Sequence, residues 1–444
     1  MIMGPQVVPV LSDTRVPKEA DVVIVGGGII GVSTALYLAE RGLKVVLAEK
    51  GHIGGEQSSR NWGWCRQAVR DPRENELARE ALQLWPGIEE RTGGACGFKI
   101  TGILFSAAEN GDEAYFERCI AEGRAVGIDQ RMLTPAEVAE LVPGGATPTR
   151  PALYSPNDGR AEPQKAAPAI AEAARRAGAT ILTDCAVRGI ELGGGKVIAA
   201  VTERGRITTS NVVVAGGAWT RRILADLGID IPQLKVRSSV MRTSPVEAAP
   251  EPAFWGGNYA FRRRFDGGYT VAGGMASIAY VVPDSFRFFF QYLPALKADY
   301  ANLKMRFGSR FFTEWREAAA RPYDRISVYE ETRVLDPAPD IPYLRGALKR
   351  LQIHYPAFND ARMVQAWAGF IDVMPDAIPI ISGVDAISGL VVATGFSGHG
   401  FGIGPGAGHL IADMVTGVTP IVDPKEFRLS RFFDGSPIRY VAGL

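Results

Sequence analysis

Cysteine and histidine are both scarce in this chain of 444 residues, and neither forms a recognisable disulfide or metal pattern. The four cysteines are scattered and include no C-x-x-C pair: Cys65, Cys96, Cys119 and Cys185. Such usage argues against a disulfide framework or a structural zinc site and favours a reducing compartment. The four histidines show no H-E-x-x-H or similar spacing: His52, His354, His399 and His409. The sequence therefore predicts no bound metal.

A strong net charge and long apolar runs are missing too. The formal net charge of +1 gives no reason to expect nucleic acid or an anionic membrane surface as the main partner. No segment reaches the roughly 18 uncharged apolar residues that a membrane-spanning helix needs. The first twenty residues lack the basic start and apolar core of a secretion signal, so we expect a tail or cap strand there and a cytoplasmic protein. The length suits two domains.

The chain does contain a strand, glycine turn, helix and strand over residues 21–50. Residues 22–25 are apolar and β-branched, as in a buried parallel strand. Three glycines follow in the G-x-G-x-x-G spacing: Gly26, Gly28 and Gly31. They suit a tight turn, close approach to a pyrophosphate and close helix–strand packing. Residues 30–41 have a helical period, and Glu49 ends the second strand, where it can bind a ribose. This unit predicts a dinucleotide site that suits NAD or FAD.

The loop over residues 51–67 has no periodicity, yet it contains two tryptophans, two arginines and a cysteine. Long irregular loops inside compact domains are commonly functional, and the tryptophans argue against disorder. Trp62 and Trp64 are predicted either to line a substrate pocket or to pack a domain interface, and the sequence leaves both alternatives open.

Regular patterns fill the middle of the chain. Predicted helices cover 74–91, 112–125 and 162–178, and another starts with Thr134 as its N-cap and Pro135 in its first position. Predicted strands cover 96–107 as a pair, 179–183, a meander over 186–210, and 211–215, which is followed by glycines. This strand–meander–strand order returns the chain to a dinucleotide-binding sheet.

Strand patterns over residues 237–278 precede a stretch, 283–320, that is rich in aromatic and basic residues. Aromatic clusters are more often buried than exposed, so we expect a helix pair that packs on a substrate domain or an oligomer interface. A lid or a membrane-touching element is the alternative. A second strand–glycine turn–helix follows, with its strand over 389–394 and its helix over 407–416. The N-terminus of such a helix can face an anion or a polarised carbonyl.

Four stretches together resemble the D-amino-acid oxidase superfamily of FAD enzymes. They are the first glycine turn with Glu49, VVVAGGAW at 212–219, WAGFIDVMPDAIPII at 367–381 and ATGFSGHGFGIGPGAG at 393–408. The whole looks closest to the branch of the sarcosine oxidase β-subunit, the opine oxidase β-subunit and hydroxyproline dehydrogenase.

The resemblance implies an α/β fold, with a Rossmann-like FAD-binding domain of the glutathione-reductase type and a second α+β domain on an antiparallel sheet. Its implied boundaries are 18–75, 152–235 and 345–430 for the FAD domain, 76–151 and 236–344 for the substrate domain, and 1–17 and 431–444 for terminal tails.

The resemblance also assigns cofactor contacts. Those of the N-terminal half are Gly26, Gly28, Ile29, Ile30, Gly31, Glu49, Lys50, Gln57, Ser58, Ser59, Asn61 and Trp62. The remaining contacts are Val187, Ala215, Gly216, Trp219, Gly369, Gly395, Gly398, His399, Gly400, Phe401, Gly402 and Ile403. The helix that contains Pro405 is expected to face the pyrimidine oxygen of the flavin. Gly369 stands where monomeric sarcosine oxidases have the cysteine that attaches FAD, so we expect non-covalent FAD.

Two carboxylate anchors of related enzymes are missing, because Ile371 and Gly402 stand in their places. Arg60, Arg66 and Arg333 are candidate replacements. His399 is either a base or a residue that shapes the flavin loop. The predicted catalytic set consists of Trp62, Arg66, Arg333 and His399.

The implied reaction is oxidation of the C–N bond of an amino acid or secondary amine, such as a D-amino acid, a sarcosine-like compound, D-hydroxyproline or an opine. The substrate's hydride passes to flavin N5, and the imine hydrolyses. An FAD-dependent 2-hydroxy-acid dehydrogenase and a non-catalytic flavoprotein subunit are the alternatives. The electron acceptor is expected to be O2 or a redox partner, and a partner subunit or a homo-oligomer is possible.

Overall fold

The computed structural model describes residues 4–107, 112–146, 149–247, 249–274, 277–299 and 303–441. Its strands are β1 Val22–Val25, β2 Val45–Ala48, β3 Trp64–Cys65, β4 Lys99–Ile100, β5 Ile103–Ser106, β6 Arg131–Leu133, β7 Ala152–Ser155, β8 Gly159–Arg160, β9 Thr180–Leu182, β10 Val187–Gly193, β11 Lys196–Thr202, β12 Gly205–Thr208, β13 Val212–Val214, β14 Leu234–Thr243, β15 Ala253–Trp255, β16 Ala260–Arg263, β17 Tyr269–Ala272, β18 Ser277–Tyr280, β19 Leu303–Arg306, β20 Met363–Val373, β21 Ile380–Val384 and β22 Ile387–Thr394. Its α-helices are α1 Ile29–Glu40, α2 Gln57–Arg60, α3 Asn75–Arg91, α4 Asp112–Ala125, α5 Pro135–Leu141, α6 Pro163–Arg176, α7 Thr220–Ala225, α8 Pro283–Arg287, α9 Phe289–Asp299, α10 Ser309–Glu317, α11 Val328–Glu331, α12 Ile341–His354 and α13 Gly400–Thr416.

The first sheet has a parallel centre. Its order is β10-β11-β22-β13-β1-β2-β9, and β1 pairs in parallel with both β2 and β13. Side chains of β1 alternate between two buried layers, because Val22 and Ile24 join one apolar cluster and Val23 and Val25 join the other. A sheet that is buried on both faces explains the unbroken apolar run in the sequence. The predicted Rossmann-like arrangement is confirmed.

Helices α1, α3, α6 and α13 cover one face of this sheet, and glycines let two of them approach closely. A Cβ on Gly404 would lie 2.6 Å from Cγ1 of Ile29, and one on Gly408 would lie 2.5 Å from Cβ of Ser33. Residues 400–406 therefore form the first turns of α13, although the sequence predicted a helix only from residue 407. The glycines serve helix packing rather than an open turn.

The second sheet is mostly antiparallel, as predicted. Its order is β19-β18-β14-β17-β16-β15-β5-β7-β6, with β20 paired along β14 over its whole length. Helix α12 packs on this sheet through Leu344, Ala347 and Leu351, which are fully buried.

Two strands within the segments predicted for the FAD domain pair in this second sheet instead. Strand β20 lies inside 345–430 and pairs with β14, and β7 lies inside 152–235 and pairs with β5. The predicted boundaries at 152 and 345 thus do not follow sheet membership, and the domain division stays a prediction.

Residues 283–320 form α8, α9, β19 and α10, and their aromatic side chains divide between core and surface. Phe288 and Tyr292 are buried, whereas Phe286 and Phe290 are 67% and 81% exposed. The aromatic side chains of this stretch are thus only partly buried within the chain itself, and their expected packing on a substrate domain or an oligomer interface stays a prediction. Residues 300–302 lie outside the described part.

A buried arginine connects the second sheet to the first domain. Arg262 on β16 donates to Glu162 at the start of α6 (2.8 Å) and to the carbonyl of Trp62 (2.7 Å). Burial opposes the charge of Glu162, but Arg262 outweighs it, and the pKa of this carboxyl group lies below its usual value. Arg262 therefore holds the loop that contains Trp62 against both domains.

Replacing Arg262 with methionine should destabilise the protein because it leaves a buried carboxylate with weaker partners. We expect a loss of about 3 kcal/mol, the low end for breaking a buried ion pair. Arg160 and Arg264 limit the loss, since they lie 3.7 and 3.9 Å from Glu162. Urea unfolding followed by tryptophan fluorescence measures it. The neighbouring, partly exposed Arg263 is the control, and Arg263→Met should cost less than about 1 kcal/mol. Equal losses would contradict this role of Arg262.

Candidate active site

A cavity of about 370 Å³ lies where the two sheets meet. Its walls come from both glycine turns, from residues 54–66, and from the facing strands β14 and β20 of the second sheet. Pockets at the carboxyl ends of parallel strands are the usual ligand sites of such folds.

The first glycine turn forms one end of the cavity. Gly26 has φ +108°, and a Cβ there would lie 2.4 Å from the carbonyl oxygen of Ala215. A Cβ on Gly31 would lie 2.0 Å from the carbonyl oxygen of Gly26, so this glycine serves helix–strand packing, as predicted. Gly28 is the N-cap residue of α1 and lines the cavity, and Oγ of Ser58 accepts a hydrogen bond from the N–H of Ile29. A helix N-terminus beside a Cβ-free wall fits a pyrophosphate.

Glu49 lies beside this turn at the end of β2. Its two carboxylate oxygens accept hydrogen bonds from the backbone N–H groups of Gly27 (2.7 Å) and Gly51 (2.8 Å). Burial raises the pKa of Glu49, and Lys50 acts in the opposite direction. The carboxylate is therefore held in place by backbone donors, with its position on the cavity wall as predicted for a ribose ligand.

Lys50 and Glu56 form a partly buried network in the same wall. Lys50 binds the carboxylate of Glu56 (2.7 Å) and lies over the ring of Trp219, with its Nζ 4.7 Å from the centroid. Glu56 also accepts hydrogen bonds from Trp219 Nε1 (3.1 Å) and from the N–H of Leu335 (3.0 Å). Sequence analysis gave Glu56 no role, and only its place in the irregular loop pointed to it.

A second polar network supports the far wall through Asp372 on β20. One oxygen of Asp372 accepts from Gln233 (3.0 Å), from Thr394 (3.2 Å) and from the N–H of Gly395 (2.8 Å). Burial raises the pKa of Asp372, and the hydrogen bond from Gly395 lowers it. These contacts tie β20 to the end of β22, where the second glycine turn begins.

The opposite end of the cavity is aromatic. Trp62 stacks on Trp255 with ring centroids 5.6 Å apart and meets Trp64 edge-on at 5.1 Å, and Trp64 meets Phe105 at 5.7 Å. All four rings line the cavity. Trp62 and Trp64 thus line the cavity and also contact rings of the second sheet, while a role toward substrate stays a prediction.

Two buried arginines lie at the same end. Arg66 donates to the carbonyls of Ala68 and Val69, and Arg70 donates to the carbonyl of Arg66 (3.0 Å). Burial, together with Arg70, lowers the pKa of Arg66 to about 10, so this side chain stays cationic at neutral pH. Nη1 of Arg70 is buried without a hydrogen bond. Arg70 was missed by the sequence analysis.

Most of the predicted residues line this one cavity. Those in its wall are Gly26, Gly28, Ile29, Ile30, Glu49, Lys50, Gln57, Ser58, Asn61, Trp62, Arg66, Val187, Ala215, Gly216, Trp219, Gly369, Gly398, His399, Gly400, Phe401 and Gly402. The cavity wall does not include the other five: Gly31, Ser59, Arg333, Gly395 and Ile403.

Gly31 packs closely on the carbonyl of Gly26, as described above, and the other four residues have other partners. Ser59 donates to the carbonyl of Glu56, Ile403 belongs to the apolar core under α1, and Gly395 donates to Asp372. Arg333 binds both carboxylate oxygens of Glu203 and lies outside the cavity wall. Its predicted role as a substrate anchor is therefore not supported by its position. The helix N-terminus at the second turn is Gly400, with Pro405 already inside α13, so the end predicted near Pro405 lies five residues earlier.

Arg60 also lines the cavity, but its guanidinium is engaged. It donates to Asp336 and to the carbonyl of Ala368, both at 2.7 Å. A Cβ on Gly369 would lie 3.2 Å from Cδ of Arg60, so the glycine leaves room for this side chain. Arg60 therefore braces the loop against β20 instead of binding substrate.

A parallel sheet with an anion-binding glycine turn, closed by a second antiparallel sheet, defines a two-domain dinucleotide-binding oxidoreductase fold. The chain belongs to the FAD dependent oxidoreductase (DAO) family, whose match covers residues 21–414. Its cofactor is FAD, and the cradle at Gly26 and Gly28 fits the pyrophosphate of that group.

Known proteins resemble this chain over nearly its whole length. Sarcosine dehydrogenase, mitochondrial, of Mus musculus is 25% identical over 97% of this chain and 43% of that protein. The sarcosine oxidase subunit beta of an Arthrobacter species is 27% identical over 94% of this chain and 92% of that protein. The chain thus spans less than half the length of one curated relative and nearly all of another.

Solved structures agree with the fold. L-amino acid deaminase from Proteus myxofaciens in complex with anthranilate superimposes with a TM-score of 0.94 at 32% identity, covering 97% of this chain and 98% of that one. L-amino acid deaminase from Proteus vulgaris gives a TM-score of 0.91 at 33% identity, covering 95% and 99%. Within the described residues, no helix is both long and apolar enough to cross a membrane.

Replacing Gly28 with valine should abolish FAD retention without unfolding the chain. The backbone there has φ −74°, which valine tolerates, but the side chain would occupy the cradle, and its Cβ would lie 3.1 Å from Oγ of Ser58. The ratio of flavin to protein absorbance after purification measures retention. Gly383 on β21 has open space around it, so Gly383→Val should stay yellow. A fully yellow Gly28→Val protein would refute the cradle assignment.

Proposed function

We propose that this chain oxidises the C–N bond of an α-amino acid or an N-substituted amino acid, giving an imine that water hydrolyses. The observation that carries this proposal is a pair of buried cationic arginines beside an aromatic wall, in a cavity that continues to the FAD cradle. The flavin, when bound, supplies the chemistry by accepting a hydride from the carbon next to nitrogen. The remaining work of binding and orientation falls to the chain's own residues.

Arg66 and Arg70 hold the substrate carboxylate in this proposal. Both guanidinium groups are buried at the cavity, and Nη1 of Arg70 lies 3.6 Å from Oε2 of Glu74. A guanidinium can bind a carboxylate through two N–H groups, so two buried guanidinium groups beside the cavity suit an anionic ligand. The pair replaces the two anchors that are missing at Ile371 and Gly402.

The aromatic wall holds the substrate's apolar part and excludes water. Trp62, Trp64, Trp255 and Phe105 present little polar surface, and Nε1 of Trp64 is buried without a partner. Binding there orients the α-carbon by restricting the side chain, which is the contribution that positioning makes to such reactions. A substrate with a bulky apolar side chain suits this wall.

The names of the relatives support C–N oxidation over C–O oxidation. They include glycine oxidase of Geobacillus kaustophilus, 4-methylaminobutanoate oxidase (formaldehyde-forming) of Paenarthrobacter nicotinovorans, and the two L-amino acid deaminases. We extend to this chain only what these names share, which is an amine or amino-acid substrate.

FAD should be released when the protein is denatured, because no nucleophilic side chain stands at Gly369. Acid precipitation should leave a yellow supernatant and a colourless pellet. Liquid chromatography of the supernatant identifies intact FAD. A yellow pellet would show a covalent bond and would contradict this prediction.

A substrate panel under nitrogen tests the proposed reaction. Amino acids, N-methylated amino acids and opines should bleach the flavin absorbance, and the matching 2-hydroxy acids should not. Subsequent admission of air distinguishes an oxidase, whose colour returns at once, from a dehydrogenase that needs a redox partner. Bleaching by hydroxy acids alone would favour the C–O alternative. Absence of bleaching by every compound would favour a non-catalytic flavoprotein.

Arg66→Met should weaken substrate binding because it removes a buried cation that faces the carboxylate. We expect Kd from anaerobic reduction to rise by about tenfold to a hundredfold, equivalent to the 1.5–3 kcal/mol typical of a charged hydrogen bond. Arg333→Met tests the other predicted anchor and should leave Kd unchanged at saturating FAD. The reverse ranking of the two variants would overturn the assignment.

A further inference from the structure

A fully buried carboxylate faces the cavity histidine from behind. Glu74, which precedes α3, has no exposed surface, while His399 lines the cavity and keeps 18% of its side chain accessible. Nδ1 of His399 lies 3.3 Å from Oε2 of Glu74. A neutral imidazole whose Nδ1–H points to a carboxylate presents Nε2 as an acceptor. His399, not Glu74, is thus placed to meet a substrate.

We propose that His399, positioned by Glu74, accepts the ammonium proton of the incoming amino acid and so generates the neutral amine that is oxidised. The inference rests on the proposed function and deepens it. The N–H bond of the substrate ammonium breaks, a new N–H bond forms at Nε2 of His399, and the positive charge moves to the imidazolium beside Glu74. No electrons are transferred in this step.

The charges around His399 suit this role. Arg70 lies 3.6 Å from Glu74, and its Nη2 lies 3.4 Å from the carbonyl oxygen of His399 itself. Arg66 also acts on His399, and Asp158 is among the charges that act on both arginines. Burial lowers the pKa of His399, and Glu74 acts in the opposite direction, so the ring is neutral at neutral pH. When the ring is protonated, Glu74 stabilises the imidazolium.

Glu74 is ionised in this arrangement. Burial opposes its charge, but His399, Arg70 and Arg66 outweigh burial and lower its pKa. Its Oε2 lies 3.3 Å from Nδ1 of His399 and 3.6 Å from Nη1 of Arg70, and both contacts fall short of full hydrogen bonds, which is an expensive state for a carboxylate buried only for structural reasons. A role for Glu74 in stabilising the protonated His399 accounts for this state, because the contact between the two groups strengthens when the imidazole becomes charged.

The pH dependence of flavin reduction under nitrogen tests the pair, with kred/Kd measured from pH 5 to 10. In the wild type, the rate should fall at low pH as His399 becomes protonated. His399→Gln should move this acidic limb of the pH profile to higher pH, because the substrate amine must then lose its proton in solution. The rate at neutral pH should fall by about a hundredfold. Glu74→Gln should move the acidic limb to lower pH, because removing the carboxylate lowers the pKa of His399. The value of kred/Kd on the plateau above this limb should also be smaller.

His409 supplies a matched control. It lies on α13, the helix that His399 directly precedes, and its Nδ1 contacts Asp413 at 3.1 Å, but it is outside the cavity. His409→Gln should keep the wild-type limb and rate. Opposite shifts in the two test variants support the pair, because a purely structural role would lower rates without moving the limb. An acidic limb that stays at the wild-type pH in His399→Gln would overturn the proposal. If Glu74→Gln does not fold, the result for His399→Gln decides the question by itself.

A second readout needs no turnover. The chain has only four histidines, so the ring signals of histidine-labelled holoenzyme can be assigned by single substitution. The His399 signal should titrate below the ordinary value of about 6.5, and Glu74→Gln should lower it further. An unchanged titration would break the link between the two residues. Failure of every amine to reduce the flavin would instead refute the proposed function, and the titration would still report on the pair.

Discussion

The site depends on one constraint, which is that the loop over residues 56–66 is fixed between the two sheets by buried arginines. Arg60 reaches β20 at the carbonyl of Ala368, and Arg262 reaches back from β16 to the carbonyl of Trp62. Each arginine also has a carboxylate partner, Asp336 or Glu162. Buried charges need such complete pairing, and breaking one pair costs several kcal/mol. The loop is therefore a rigid part of both domains, although it has little regular structure.

This fixed loop divides the cavity into two chemical environments. Its first half places Gln57 and Ser58 beside the FAD cradle, and the hydroxyl oxygen of Ser58 accepts a hydrogen bond from the N–H of Ile29 (2.8 Å). Its second half places Trp62 and Trp64 in the aromatic wall, and Arg66 follows directly. In the proposed assignment, successive residues of this one segment set both the dinucleotide end and the substrate end of the cavity. Rigid placement of this kind is what brings a reacting C–H bond into position.

The sequence predicted best those features that depend on local patterns. The strand–glycine–helix unit at residues 21–50 was recognisable because each glycine answers a local steric need, and the structure confirms the packing role of Gly31. The helix start at Thr134 was recognisable for the same reason, and the structure shows a capping box there with Glu137. The family resemblance supplied the other predicted wall residues, which lie far apart in the chain.

Features that arise only from tertiary packing escaped prediction. The glycines at 400–406 resemble an open turn, and only the presence of α1 and α3 against them shows that they allow close helix contacts. Trp255 stacks on Trp62 across nearly two hundred residues, a pairing without any local signal. Arg333 was a plausible anchor by residue type, but Glu203 engages it. Arg70 and Glu74 do show an i, i+4 spacing, which is too common to indicate a site by itself.

Isotopic substitution at the α-carbon tests the central claim most directly. An α-amino acid with a bulky apolar side chain, carrying either hydrogen or deuterium there, is mixed with the holoenzyme under nitrogen, and flavin bleaching and released ammonia are measured together. C–N oxidation predicts slower bleaching with deuterium and one ammonia for each flavin reduced. Equal bleaching rates without ammonia would contradict it.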